Sequence, residues 1–262
     1  MSERRGRGDC AGPPLRDLAR IPSGLSDDLV RTVLDFAAFR YDIASVGPGG
    51  VVTLWASGGP RLRLQSKGSA PVVGLRFFPP GAGRLVTWSG SAAVVWSTTT
   101  GVALAELRHR SDVQCVRVLP RGDRIMTCDT NGLIALWDSD TGEPVEIFVR
   151  RWTSSQQMPM FDGVKDLEVF PSGDRVLTWG SDSWATQWDI VAVKVVCTFQ
   201  AHSYTISDAS IFSSGDRVVT GSFDSSAIIW DGGTCRVVHQ LQHHTWVTSV
   251  AVLASDAKVA TL

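Results

Sequence analysis

Three residues in the C-terminal third of the chain have the types found in a hydrolytic triad. His202 lies in "QAHSY", and Ser222 and Asp224 lie further on in "VTGSFDSSAIIWD". A serine activated by a histidine, which an acid orients in turn, would perform nucleophilic acyl transfer. No GxSxG turn or similar nucleophile motif surrounds Ser222. The catalytic interpretation therefore depends on whether this set of residues occurs once in the chain or recurs.

Other chemistry has weaker signals in the sequence. His239, His243 and His244 lie close together, but no cysteine or carboxylate completes a zinc-binding pattern around them. No GxxxxGK[ST] or GxGxxG phosphate loop is present. A net charge of −1 gives no general attraction to nucleic acid or to an anionic membrane. We predict no cofactor, no metal, no small-molecule substrate, no nucleic acid and no membrane partner.

The chain contains a repeat that is marked by tryptophan. Five tryptophans each end a short apolar run and stand 41, 41, 51 and 42 residues apart: Trp55, Trp96, Trp137, Trp188 and Trp230. Three of them are followed directly by aspartate. A period near 41 residues indicates stacked or radially arranged units.

Each repeat predicts four short strands. A phrase such as "TISDASIF" is followed by "GDRVVT", then by the tryptophan strand, then by an outer strand such as "VVHQLQ". These β-branched and aromatic runs are separated by turn residues. Turns such as "PRGDR" and "PSGDR" carry glycine where the chain needs a positive φ. The fold class is therefore all-β, built from four-stranded antiparallel units in a sandwich, barrel or propeller.

These residues resemble the WD-repeat family of β-propellers. A blade of that family has a Gly-His pair before its first strand, Trp-Asp at the end of its third strand, and an aspartate six residues before the tryptophan. Here the glycine before the histidine is replaced, as in "RH" (108–109), "AH" (201–202) and "HH" (243–244). The resemblance covers roughly residues 28–262.

The resemblance implies a structural function for the residues of the apparent triad. In a WD-repeat blade the histidine, a serine or threonine, the aspartate and the tryptophan are linked by hydrogen bonds. The corresponding residues in this chain would be His202, Ser222, Asp224, Trp230, His109, Trp137, Asp182 and Trp188. Because the histidine and acid positions recur with the repeat, we predict a structural network and no enzymatic activity. A hydrolase that uses Ser222, His202 and Asp224 is the alternative.

The repeat register predicts the domain organisation. Residues 1–25 are rich in Arg, Gly and Pro and are predicted to be disordered. Residues 26–262 form the propeller, with five complete blades and the start of a sixth at about 28–66, 71–108, 112–149, 163–200, 205–242 and 246–262. Propellers of this family usually close with seven or eight blades, so we expect an incomplete ring; a five-bladed ring with overlapping ends is the alternative. Residues 26–37 fit either a capped helix or the first strand.

A partner is expected on the propeller face that carries the loops leading into the first strand and the loops before the tryptophan strand. The long loop 149–162 is rich in the residue types that dominate interfaces, although its aromatic side chains would equally well pack the loop onto its neighbours. The candidate partner-binding residues are Arg150, Arg151, Trp152, Met158, Phe161, Phe223, Trp246, Arg110 and Asp112.

The predicted function is that of a non-catalytic scaffold that presents a propeller face to protein or peptide partners. The alternative is the propeller part of a larger signalling or ubiquitin-pathway protein. Five dispersed cysteines without CxxC pairs suggest free thiols in a reducing compartment. We therefore expect an intracellular protein, in the cytoplasm or the nucleus.

Overall fold

The computed structural model describes residues 43–56, 59–65, 71–149, 164–253 and 258–262. Apart from one 3-10 turn at Pro48–Gly50, its regular elements are strands. Sheet 1 is made of β1 (Ile43–Gly47), β2 (Val51–Ala56) and β3 (Gly59–Gln65). Sheet 2 is made of β4 (Gly74–Phe77), β5 (Arg84–Ser89), β6 (Ala92–Ser97) and β7 (Ala103–Arg108).

The next three sheets follow in chain order. Sheet 3 is made of β8 (Val113–Val118), β9 (Arg124–Asp129), β10 (Leu133–Asp138) and β11 (Pro144–Val149). Sheet 4 is made of β12 (Val164–Val169), β13 (Arg175–Gly180), β14 (Ala185–Asp189) and β15 (Lys194–Phe199). Sheet 5 is made of β16 (Ile206–Ile211), β17 (Arg217–Ser222), β18 (Ser226–Asp231) and β19 (Val237–Gln242), and sheet 6 of β20 (Val250–Val252) and β21 (Val259–Thr261).

All of these sheets are antiparallel, and in sheets 2 to 5 the strands follow chain order from a first strand to an outer fourth strand. The all-β fold of four-stranded antiparallel units is thereby confirmed. The turns between first and second strands include Gly122 and Gly173, whose φ values of 74° and 75° confirm the predicted positive φ. The helix or first strand predicted for residues 26–37 and the segment 1–25 lie outside the described residues.

The core lies between consecutive sheets. Five clusters of buried apolar side chains fill the spaces from sheets 1 and 2 to sheets 5 and 6 in turn. The second and third strands are covered on both faces, so β9 and β17 are buried almost throughout. This burial explains why the sequence shows continuous apolar runs there and no alternating pattern. The outer strand β19 is exposed along its whole length.

The first strands of sheets 2 to 6 lie side by side, and side chains join those of sheets 3 to 6. In chain order the bonds are Arg117 Nη2 to Asp166 Oδ2 (2.8 Å), the amide of Ile211 to Glu168 Oε2 (3.2 Å) and the amide of Val250 to Asp208 Oδ2 (3.0 Å). Each bond connects one sheet to the next. Ionisable side chains therefore join neighbouring sheets that share no backbone ladder.

Four of the five cysteines differ from the sequence-based expectation of free thiols. The structure joins Cys115 to Cys128 and Cys197 to Cys235 as disulfides. Cys115 and Cys128 are brought together by neighbouring strands, and Cys197 and Cys235 by neighbouring sheets. Residue spacing alone reveals neither contact. Cys10 lies outside the described residues.

Glu168 generates a prediction about pH. Burial raises the pKa of Glu168 to about 7, against the opposing effect of Arg117. The folded protein thus holds this proton to a higher pH than the unfolded chain, whose carboxyl has the ordinary pKa of 4.5. Stability from this group is complete below pH 4.5 and is lost as the pH rises through about 7. We expect Glu168→Gln to raise the free energy of unfolding at pH 8 by about 1–3 kcal/mol. The stability of the variant should also depend less on pH.

The measurement is urea unfolding of both proteins between pH 5 and 8.5. Glu143→Gln, which changes an exposed carboxylate, is the control and should leave the profile unchanged. A Glu168→Gln variant with the same pH profile as the parent protein would show that Glu168 does not titrate in this range.

Candidate functional site

The same hydrogen bond recurs in sheets 2 to 5. In each of them the indole N–H of the repeat tryptophan donates to a buried threonine hydroxyl on the preceding strand. The four bonds are Trp96 to Thr87 (2.8 Å), Trp137 to Thr127 (2.7 Å), Trp188 to Thr178 (2.9 Å) and Trp230 to Thr220 (2.8 Å). A polar group of the buried indole is thereby satisfied in every one of these sheets.

Strand register explains why these two side chains meet. In sheet 5, Trp230 on β18 pairs with Val218 on β17, and Thr220 is two residues beyond Val218. Because side chains alternate along a strand, residues two apart share a face, and Thr220 is a diagonal neighbour of Trp230. The tryptophan packs towards the preceding sheet, in the cluster that also contains Phe199.

In sheet 5 the bond extends to the histidine and the acid. His202 Nε2 lies 2.7 Å from Thr220 Oγ1, and its Nδ1 lies 2.8 Å from Asp224 Oδ2. An indole N–H can only donate, so the Thr220 oxygen accepts from Trp230 and its hydroxyl hydrogen is directed to Nε2. Nδ1–H is then the donor to Asp224. The four side chains form one continuous chain of hydrogen bonds.

Asp224 joins this series of hydrogen-bonded side chains to the backbone. Its carboxylate accepts from the amide of Ser203 (3.0 Å) and from both the amide (2.9 Å) and the hydroxyl (2.6 Å) of Ser226. Burial raises the pKa of Asp224, but the hydrogen bonds from Ser226, Ser203 and His202 outweigh it and hold the pKa below its ordinary value. Asp224 is therefore an ionised acceptor near neutral pH.

The predicted place of Ser222 in this network is wrong, because the hydroxyl between His202 and Trp230 belongs to Thr220. Ser222 Oγ donates instead to the carbonyl oxygens of Tyr204 (3.0 Å) and Thr205 (2.9 Å) and accepts from the Asp224 amide (3.1 Å). Both nitrogens of His202 are engaged elsewhere, and its side chain is fully buried. The geometry thus gives Ser222 no histidine base.

Sheet 3 holds a looser version of the network. His109 Nε2 lies 2.8 Å from Thr127 Oγ1, which also accepts from Trp137. The acid here is Asp129, whose Oδ2 lies 3.7 Å from His109 Nδ1, beyond hydrogen-bond distance. Burial lowers the pKa of His109, and the nearby Asp129 opposes that effect. His109 is thus held as a neutral imidazole.

In sheet 4 the structure shows the tryptophan end of the network. Trp188 is bonded to Thr178, and Asp182 Oδ1 accepts from the amide of Trp184 at 3.4 Å. The position that corresponds to His202 is Met160, which lies outside the described residues. Asp182 therefore occupies the predicted turn between second and third strands.

The candidate partner-binding residues fall into three groups. Phe223 and Trp246 are brought together, with ring centroids 5.5 Å apart, and the Lys165 ammonium lies 5.5 Å from the Phe223 ring. Arg110 and Asp112 are exposed on the turn that leads into sheet 3. The third group lies outside the described residues and comprises Arg150, Arg151, Trp152, Met158 and Phe161.

Antiparallel order explains why Phe223 and Trp246 meet. The turn between second and third strands and the connection into the next first strand lie at the same end of their sheets. Phe223 occupies the former in sheet 5, and Trp246 the latter before sheet 6. The Thr205 carbonyl accepts from the Phe223 amide at 3.1 Å, so the backbone at Tyr204 runs close to Phe223.

Two kinds of site are not found in the part of the chain that the structure describes. No group of three or more histidine, cysteine or acidic side chains there is arranged to hold a metal ion. None of the helices in the same residues is long and apolar enough to cross a membrane.

Comparison with known proteins agrees with this geometry. The family model "WD domain, G-beta repeat" matches residues 101–138 and 193–231. Each matched stretch ends at a Trp-Asp pair and contains one of the two histidine–threonine–tryptophan chains. This chain contains WD40 repeats. It is also similar to WD repeat-containing protein 1 of Gallus gallus, with 30% identity over 95 residues. That match spans 36% of this chain and 15% of the length of its relative.

The aspartate that gives the WD repeat its name has a separate function here. In sheet 5, Asp231 Oδ1 accepts from the amides of Gly233 (3.1 Å) and Thr234 (2.7 Å), and so closes the turn to the outer strand. In sheet 3, hydrogen bonds from the amides of Thr141 and Asp140 lower the pKa of Asp138 to about 2. These aspartates organise turns and take no part in the buried network.

The threonines are the residues that sequence reasoning missed. Each closes the phrase before the tryptophan strand, as in "GDRIMT", "GDRVLT" and "GDRVVT". That recurrence was a usable signal, because a threonine that recurs at a fixed distance from tryptophan is a candidate hydrogen-bond partner. Ser222 shares a strand face with Thr220 but lies two residues further from the Val218–Trp230 pair, so its hydroxyl meets the carbonyls of Tyr204 and Thr205 instead.

The network predicts that Thr220 matters more to stability than Ser222. Thr220→Val keeps the shape of the side chain but leaves the Trp230 N–H and His202 Nε2 buried without this partner. We expect a loss of about 2–4 kcal/mol in the free energy of unfolding, and about 1 kcal/mol for Ser222→Ala. Urea unfolding of the two variants measures the difference. Equal losses, or a larger loss for Ser222→Ala, would contradict the assignment of Thr220.

Proposed function

We propose that this WD-repeat chain is a non-catalytic scaffold that binds a protein partner through an aromatic surface at one end of sheets 5 and 6. The surface consists of Tyr204, Phe223 and Trp246, with Lys165 at its edge. The observation that carries the proposal is the exposure of Trp246, 66% of which is accessible to solvent although it lies against Phe223. WD40 repeats occur in interaction scaffolds as a family, which supports the same function.

Exposed aromatic side chains of this size are typical of interface anchors. Tyr204 is 61% exposed, so two large rings present apolar area to water beside a cation. Tryptophan and tyrosine are enriched among the residues that carry most of the binding energy at protein interfaces. Burial of both rings by a partner would remove their apolar area from water.

The backbone beneath these rings is held in place before any partner binds. Val247, next to Trp246, is buried between sheets 5 and 6, and its amide donates to the Ser222 carbonyl at 3.1 Å. The Tyr204 carbonyl accepts from Ser222, and the Ser203 amide donates to Asp224. The residues that resemble a hydrolytic triad thus position the loop that carries Tyr204. A preorganised surface loses less conformational entropy on binding.

The geometry gives no comparable support to a hydrolase. Ser222 is fully buried and donates to two backbone carbonyls, and the imidazole of His202 is occupied by Thr220 and Asp224. A nucleophile must reach both its base and a substrate.

The proposal predicts that Trp246→Ala weakens partner binding without unfolding the chain. Partners would be captured by crosslinking to the parent protein and then purified for titration calorimetry. We expect the dissociation constant to rise roughly 30-fold or more, as for a hot-spot residue worth about 2 kcal/mol. The matched control is Val191→Ser, which changes a highly exposed apolar residue on the outer side of sheet 4. Unchanged affinity for Trp246→Ala, or an equal loss for Val191→Ser, would contradict this surface as the binding site.

A further inference from the structure

The turn that follows each tryptophan strand has one backbone position with a left-handed conformation. Four residues after the end-of-strand Ser97, Asp138, Asp189 or Asp231, the φ angle is positive in sheets 2 to 5. The residues and angles are Gly101 (73°), Gly142 (71°), Val193 (53°) and Cys235 (58°). Glycine adopts this conformation freely, whereas a residue with a side chain is strained in it. Cys235 therefore occupies a position that two other sheets fill with glycine.

A side chain at this position faces the outer strand of the preceding sheet. A Cβ atom built on Gly101 would lie 3.1 Å from Leu62 on β3, and one built on Gly142 would lie 3.1 Å from Ala105 on β7. In sheet 5 the residue is Cys235, and its sulfur is bonded to Cys197 on β15. The Cys197–Cys235 disulfide thus forms at a contact between sheets that is noncovalent in other repeats.

The equivalence of the partner positions supports this view. Leu62, Ala105 and Cys197 each pair, across their own sheet, with the residue that immediately precedes the repeat tryptophan. Cys197 and Cys235 are both partly exposed. A soluble thiol or disulfide can therefore approach them, as exchange requires.

The Cys115–Cys128 disulfide differs from this pair in the elements that it joins and in its exposure to solvent. Cys115 and Cys128 are directly paired residues of the neighbouring strands β8 and β9, which backbone hydrogen bonds already join. Both are almost completely buried, in the cluster between sheets 3 and 4. This pair crosslinks one sheet and is shielded from soluble reagents, so it serves as an internal control.

We propose that Cys197 and Cys235 are a site of reversible oxidation by low-molecular-weight disulfides, and that their bond locks the outer seam between sheets 4 and 5. One cysteine thiolate attacks oxidised glutathione and releases one glutathione thiolate, which leaves a mixed disulfide on the protein. The second cysteine thiolate then attacks the protein sulfur and releases the second glutathione. The protein loses two electrons and two protons, and one glutathione disulfide is reduced to two thiols.

The oxidised and reduced states differ in what holds the turn at Cys235. When the bond is formed, the strained turn is tied to β15, and the two sheets are joined across a loop of 38 residues. When the bond is broken, Cys235 keeps its strained backbone conformation without the crosslink, and the contact between sheets 4 and 5 becomes noncovalent. We expect the oxidised form to melt about 5–10 °C higher than the reduced form.

The test is redox equilibration of the full chain in buffers with different ratios of oxidised to reduced glutathione. Free thiols are trapped by alkylation, and the crosslinked peptides are quantified by mass spectrometry. The Cys197–Cys235 peptide should appear and disappear with this ratio, while Cys115–Cys128 stays constant over the same range. Hydrogen exchange should be faster in the reduced form at residues 190–199 and 231–238.

Two variants separate the crosslink from the strain. Cys197→Ser removes the bond and keeps Cys235 in its left-handed conformation, so its melting temperature should no longer respond to glutathione. Cys235→Gly also removes the bond but relieves the strain, so it should melt above reduced Cys197→Ser. Failure to detect the Cys197–Cys235 peptide at any ratio would overturn the proposal. So would a bond that persists at every ratio, or one that forms without any change in melting or exchange.

Discussion

The hydrogen bond from a buried indole N–H to a threonine hydroxyl is the interaction on which the rest of the molecule depends. Consecutive sheets pack face to face, so most side chains of their second and third strands are buried, and a polar atom buried there is costly unless it finds a partner inside the protein. Tryptophan supplies the apolar area that fills the space between sheets. Threonine satisfies its one polar atom from the neighbouring strand. The repeat conserves its geometry from sheet 2 to sheet 5 because both demands are met by the same two residues.

The histidine and aspartate of sheet 5 extend this bond to the protein surface. Asp224 is joined through His202 and Thr220 to the buried indole, and it also accepts from the backbone of the loop before β16. The exposed aromatic surface is thus connected to the core by a continuous series of hydrogen bonds. Residue types that elsewhere activate a nucleophile act here as a rigid support, and their surroundings determine which of the two functions they have.

Sequence was sufficient for the repeat, its strands and its turns, since these depend on periodicity and on local conformational preference. It was insufficient for contacts set by strand register or by neighbouring sheets. Ser222 and Thr220 are two residues apart, and only the register of β17 against β18 shows which of them faces the tryptophan. The disulfides illustrate the second case, because Cys197 and Cys235 belong to different repeats and meet only when one sheet packs on the next.

The side chains that join the first strands differ from one junction between sheets to the next. Glu168 of sheet 4 accepts from an amide of sheet 5, and Asp208 of sheet 5 accepts from an amide of sheet 6. Sheet 4 also accepts on its other side, because Asp166 takes the bond from Arg117 of sheet 3, whereas sheet 5 donates to sheet 4 and accepts from sheet 6. Each junction therefore has its own set of donors and acceptors. Repeats that share one backbone are for this reason not interchangeable modules. An exchange of two of them would preserve every strand and still place mismatched groups at each junction, so the order of the repeats is itself encoded in their side chains.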